Sequence, residues 1–179
     1  MLALPATANA IAGSLPSLPQ TVIVPETINQ VAVFDGDNRR GRVRTTRQLA
    51  AANSATVAVL GDRWIADALL EGGFPPARVI ETDLTGTTRD QIAWVQQYEQ
   101  RAPNARIIIV ASRLQAPRVW RLTQRAHLRA AIVASPIDDE PPVSGPRLWV
   151  PTYIALRVSR DALYEHAALV YYRWRGWVD

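Results

Sequence analysis

The chain has 179 residues, a formal net charge of +4 and no cysteine, a length that suits one α/β domain able to bury its own core. Without cysteine there are no disulfides, thiolate zinc sites or cysteine nucleophiles, although the compartment stays open. All 20 basic side chains are Arg, which excludes Schiff-base, Walker-A and general-base lysines and leaves anion recognition to planar guanidinium groups.

The opening stretch "MLALPATANAIAGSLPSLPQ" lacks a positive leader, and Pro5, Pro16 and Pro19 break its mild hydrophobicity, so it reads neither as a signal peptide nor as a membrane span. Residues 1–29 are expected to form an extended arm, held by packing or by a partner, ahead of one α/β domain over residues 30–179. Within that domain five Val-, Ile- and Ala-rich runs recur: "QVAVFDG", "ATVAVLGD", "RVIETD", "RIIIVAS" and "AAIVASP". They are continuous rather than alternating, the mark of strands covered on both faces in a parallel sheet. Helical patterns lie between them, at about Arg42 to Asn53, Arg63 to Glu71, Thr88 to Arg101 and Pro117 to His127. This alternation predicts a doubly wound, mostly parallel five-stranded Rossmann-like sheet with right-handed crossovers.

"RRGRVRTTR" carries five arginines from Arg39 to Arg47 and reads as a solvated helix face, since nucleic-acid binding needs a concentrated basic surface. Pro136 to Pro151 holds five prolines in sixteen residues and reads as a rigid surface connector. A long last helix is expected over about Thr152 to Arg175, with Gly176 as its stop. Leu156, Leu163, Ala167, Val170 and Trp174 recur there at helical spacing and read as the core-facing stripe. Glu165 interrupts a second line, Val158, Ala162, Leu169 and Tyr172, and calls for an Arg partner in a structural ion pair, with a catalytic role as the alternative.

Open parallel sheets bind ligands beyond the carboxyl ends of their strands. Every polar cluster of the chain falls at such an end: "DGDNRR", "GDR", "ETDLTGTTRD", "SRLQAPR" and "SPIDDE". The candidate ligand-binding residues are therefore Gly36, Arg40, Gly61, Thr87, Thr88, Ser112, Arg113, Gln115 and Arg118, with Glu81 and Ser112 as catalytic candidates. Thr87 or Thr88 would cap a helix whose free N–H groups attract an anion. Pro117 belongs in the first turn of its helix, which leaves Ser112 to Gln115 as a loop open to a ligand. The two histidines, His127 and His166, stand apart in sequence and are read as structural.

The order of motifs resembles the SanA/YdcF-like domain, a bacterial family of unknown function with a Rossmann-like fold and links to envelope biogenesis. The resemblance runs from Gln30 to Trp177. "SRDALYEHAALVYYRWRGW" is similar to the family's closing helix through Glu165, Tyr172, Arg173, Gly176 and Trp177. "VASRLQAPR" is similar to its serine loop through Ser112, Pro117 and Arg118, and "ETDLTGTTRD" to its acidic-then-threonine segment through Glu81 and Thr87. The chain departs from the family at the rim: Gln115 replaces a histidine, Gly86 an asparagine, Arg89 an acid, and Asp35-Gly36 a double glycine. These departures imply a divergent, repurposed or inactive member, while the donors at the rim point to a small anionic ligand, phosphate- or carboxylate-bearing, with a nucleotide-like molecule among the options.

Two alternatives stand beside it. One is a non-catalytic interaction subunit that docks a protein partner through the N-terminal arm or the aromatic C-terminal helix. The other is a haloacid-dehalogenase-like phosphatase, in which Asp35 would attack phosphorus, Asp37 would act as acid and base, and Asp138 or Asp139 would bind Mg²⁺. No cofactor or metal is assigned otherwise, no transmembrane segment or nucleic-acid partner is expected, and the cytoplasm is the expected compartment, with membrane-peripheral or periplasmic placement as alternatives.

Overall fold

The computed structural model describes residues 1–18, 27–36, 38–82, 86–136 and 145–178. Five strands, β1 (Gln30–Phe34), β2 (Thr56–Leu60), β3 (Val79–Thr82), β4 (Ile107–Ser112) and β5 (Ala131–Ser135), form one sheet in the order β3-β2-β1-β4-β5. Every neighbouring pair is parallel, with Gln30 opposite both Thr56 and Ile107. The chain steps outward from β1 to β3, then crosses back to β4, so the order reverses between β1 and β4. That is the doubly wound Rossmann-like arrangement, and the reversal point is where its crevice opens.

Helices cover both faces: α1 (Pro5–Gly13), α2 (Arg39–Asn53), α3 (Arg63–Glu71), α4 (Thr88–Arg101), α5 (Ala116–Arg125) and α6 (Tyr153–Trp174). Because successive strand residues point to opposite faces, β1 sends Val31 and Val33 toward Ala50 of α2 and Ile65 and Leu69 of α3. It sends Ala32 and Phe34 toward Val95 of α4 and Val119 of α5. Two cores result, one on each side of a sheet whose central strands are wholly buried. Each Val, Ile or Leu removed from water in this way contributes about 1.5–3 kcal/mol.

Three expectations fail. The N-terminal arm is not extended: Pro5 opens α1, where a proline's fixed φ suits the first helical turn, and the alanines behind it pack closely on α6. Ala8 meets Ala155 and Val158, and Leu15 meets Ala162 and Leu169. The Thr152 N–H donates to the Ala3 carbonyl at 2.8 Å and the Ser159 hydroxyl to the Leu2 carbonyl at 2.7 Å. Residues 19–26 of the expected arm lie outside the described residues.

Second, α6 is rotated relative to the expected stripe. Ala155, Val158, Ala162, Glu165, Leu169 and Tyr172 face inward, whereas Leu156, Leu163, Ala167, Val170 and Trp174 are exposed. Both lines are apolar enough to be buried, so hydrophobicity alone separates them weakly. The small residues Ala155, Ser159 and Ala162 permit close approach of α1, and a buried guanidinium waits for Glu165.

Third, the arginine run at α2 is not all solvated. The helix begins at Arg39, and Arg42 on its inner side is fully buried, donating to the carbonyl oxygens of Phe34 and Gly36.

Candidate functional site

A cleft of about 1540 Å³ opens beyond the carboxyl ends of β1 and β4, with α6 as its outer wall. Its floor is built by the loop after β1. Asp35 Oδ1 accepts from the Gly36 N–H at 2.6 Å. Gln115 Nε2, from the loop after β4, donates to the Asp35 carbonyl at 3.0 Å. Arg42 holds the same loop from beneath, and Asn38, at φ 52°, turns the chain into α2 while its Nδ2 donates to the Pro136 carbonyl. Gly36 has φ 146°, a conformation that favours glycine, and a Cβ there would stand 3.1 Å from Gln115 Oε1, close enough to press on that side chain.

One side of the cleft carries the first turn of α4. The Thr87 N–H and hydroxyl both donate to Asp90 Oδ2, at 2.6 and 2.9 Å. The backbone hydrogen bond, then the hydroxyl one, holds the Asp90 carboxyl below its ordinary range. The next residue, Thr88, is buried, and its Oγ1 accepts from Arg118 Nη1 at 2.6 Å.

Arg118 is the centre of a closed network. Its Nε and Nη2 donate to Glu165 Oε2 and Oε1 at 2.7 and 2.8 Å, a bidentate pair between side chains only 5% and 7% exposed. Nη1 also reaches the Tyr172 hydroxyl at 3.4 Å, and the guanidinium lies 5.4 Å from that ring's centroid. Burial works against the Arg118 charge, but hydrogen bonding and attraction from Glu165 outweigh it and raise the group above its ordinary range. The pair joins α5 to α6 across the cleft floor.

Charges facing the opening are mixed. Arg39 Nε pairs with Asp62 Oδ2 at 2.8 Å, and Arg160 Nε with Asp161 Oδ1 at 2.8 Å. Arg40, exposed in the first turn of α2, forms no ion pair with the described residues. Arg157 adds a further guanidinium, and Trp64, Tyr164 and Trp177 present aromatic surface beside these cations. A wall of this composition can hold an anion by bidentate hydrogen bonds and a planar or apolar body by stacking.

Asp35, Gly36, Arg40, Thr87, Thr88, Gln115, Arg118 and Glu165 all line the cleft; Gly61, Glu81, Ser112 and Arg113 do not. Ser112 is fully buried, and its hydroxyl accepts from the Gln115 N–H at 3.3 Å, so Ser112 to Gln115 is a closed turn rather than a loop open to a ligand. Glu81 stands on β3 opposite Val59, 3.7 Å from Arg63. Strands β2 and β1 separate it from β4, about 14 Å at ordinary strand spacing, so Glu81 and Ser112 cannot act on one reacting atom. Arg118 is committed to Glu165 and supports the cleft instead of reaching into it. Asp37, Asp138 and Asp139 lie outside the described residues, among which no three potential metal ligands cluster.

Sequence reasoning missed Asn38, Arg39 and Trp64, although each stands within five residues of a strand end, where its place on the rim was legible. It also missed Arg157, Arg160 and Tyr164, which no local signal marks, because only packing brings α6 over the sheet edge. The Nε2 of His166 lies 3.0 Å from the Ser14 hydroxyl, and His127 follows the end of α5 at φ 53°. Among the described residues no helix is long and apolar enough to cross a membrane. No protein-family model, curated protein or solved structure matches the chain.

Proposed function

We propose that this is a divergent SanA/YdcF-like α/β protein that binds a small phosphate- or carboxylate-bearing ligand in the cleft beyond β1 and β4. The observation that carries the reading is Arg40: an exposed guanidinium at the start of α2, on the cleft rim, with no ion pair to the described residues. Trp64 and Tyr164, which line the same cleft, favour a ligand whose anion is attached to a planar or apolar body, as in a nucleotide. The buried Arg118–Glu165 pair shapes the pocket, and the family resemblance extends the proposal to a role connected with envelope biogenesis.

The test is thermal unfolding against a panel of nucleotides, S-adenosylmethionine and phosphorylated sugars. A ligand at about 100 times its Kd adds about 2.7 kcal/mol, which for a chain of this size raises Tm by about 5–10 °C. The shift is expected with wild type and lost in Arg40→Ala, whose own Tm stays unchanged because the side chain is exposed. A flat response across the panel, or a shift indifferent to Arg40→Ala, overturns the reading.

A further inference from the structure

The stripe expected to face the core lies outside in the fold, and the exposed Tyr153 and Arg160 extend and complete it. Tyr153, Leu156, Arg160, Leu163, Ala167, Val170 and Trp174 recur at spacings of 3, 4, 3, 4, 3 and 4, and all seven are exposed. This 3.5-residue period, held through the whole 22-residue helix, is what a helix presents to another helix. The line also reads alike from both ends. About Leu163 stand, in order outward, Arg160 and Ala167, then the aliphatic Leu156 and Val170, then the aromatic Tyr153 and Trp174.

We propose that the outer face of α6 is a self-association surface, on which α6 of a second copy of this chain lies antiparallel about a two-fold axis near Leu163. A two-fold interface requires one patch to complement itself. Turning the helix end for end brings ring against ring and aliphatic against aliphatic, with the long Arg160 opposite the small Ala167. Tyr164 and Tyr171 flank the line on the cleft side, so Arg157 of one copy approaches Tyr171 of the other, a cation–π geometry.

The area suffices. Tyr153, Leu156, Leu163, Val170 and Trp174 are 43% to 77% exposed, and aromatic rings alone cover about 150–250 Å² each when fully buried. Two copies therefore bring together on the order of 1,000 Å², the scale at which specific interfaces begin. A lipid surface would also take exposed rings and arginines, but it demands neither the strict 3.5 period nor the end-to-end symmetry.

Sedimentation velocity between about 1 and 100 µM tests the pairing. Wild type is expected at twice the 19.8 kDa chain mass at the upper end. Leu163→Glu combined with Val170→Glu, both at exposed positions, is expected to leave the circular dichroism unchanged and to weaken association by about 100-fold or more. Orientation has its own readout, since the chain contains no cysteine. On oxidation Leu163→Cys should cross-link to itself, whereas Tyr153→Cys should link to Trp174→Cys and not to itself. A wild type that stays at 19.8 kDa throughout, whether or not it binds phosphatidylglycerol vesicles, overturns the proposal. A dimer that survives the double substitution, or that cross-links through Tyr153→Cys alone, does so too.

Discussion

The two faces of α6 differ in a way opposite to the usual partition of residues. The inner face carries a carboxylate, Glu165, while the outer face displays Leu156, Leu163, Val170 and Trp174. Glu165 can be inside because Arg118 meets it with two short hydrogen bonds and Thr88 and Tyr172 take up the remaining guanidinium capacity. A buried ion pair adds little stability over an apolar pair of the same shape, but it defines which way the helix must turn. Rotating α6 to bury its more hydrophobic line would strand Arg118 without its counter-charge.

The largest effect is expected at the ion pair. Glu165→Gln leaves the Arg118 charge buried without a carboxylate and is expected to cost about 3–5 kcal/mol, read as a fall in the denaturation midpoint at unchanged m-value. Replacing both partners together, Arg118→Met with Glu165→Leu, should recover most of that loss. A double variant no better than Glu165→Gln would show that hydrogen-bond geometry, and not charge compensation, dominates this contact.

Paired leucines distinguish the two faces next. Leu169 is 4% exposed and packs with Leu15 and Leu114, so Leu169→Ala should cost about 2–5 kcal/mol. Leu163, six residues earlier on the outer face, is 44% exposed, and Leu163→Ala should change the stability of the single chain by no more than about 0.5 kcal/mol. Equal losses at the two positions, measured at concentrations low enough to exclude association, would mean that α6 is turned otherwise.

The smallest effect comes from an exposed acid, Asp90, which caps α4 through Thr87. Its folded-state titration lies below the ordinary carboxylate value, so its contribution is present above about pH 4 and is lost as pH falls through the lower folded value. Asp90→Asn should therefore lower Tm slightly near neutrality and should not lower it once the wild-type carboxyl is protonated. A deficit that persists in strong acid would assign the effect to packing.

Much of the framework was legible because the central strands β1, β2 and β4 are mostly apolar and buried, and a helical pattern separates each strand from the next. The helices expected at Arg63 to Glu71 and Thr88 to Arg101 have those bounds in the fold. A strand end marks a rim position within a few residues, so Gly36, Arg40, Thr87 and Gln115 were identifiable without coordinates. Ser112 is closed off and Arg118, though it lines the cleft, is held in its wall for one reason: a polar side chain at a strand end is free for a ligand only if the protein has not already satisfied it. Ser112 is engaged by a neighbour three residues away, and Arg118 by a carboxylate 47 positions later.

From the order of its residues alone, this chain commits to a parallel sheet wrapped by helices, because uninterrupted apolar strands must be covered on both sides. Tertiary structure alone decided that Arg42 and Arg118 turn inward, that the N-terminal residues coil against α6, and which of two apolar lines α6 displays. Periodicity specifies that a stripe exists, whereas its direction depends on which distant surface offers a closer fit and a matching charge.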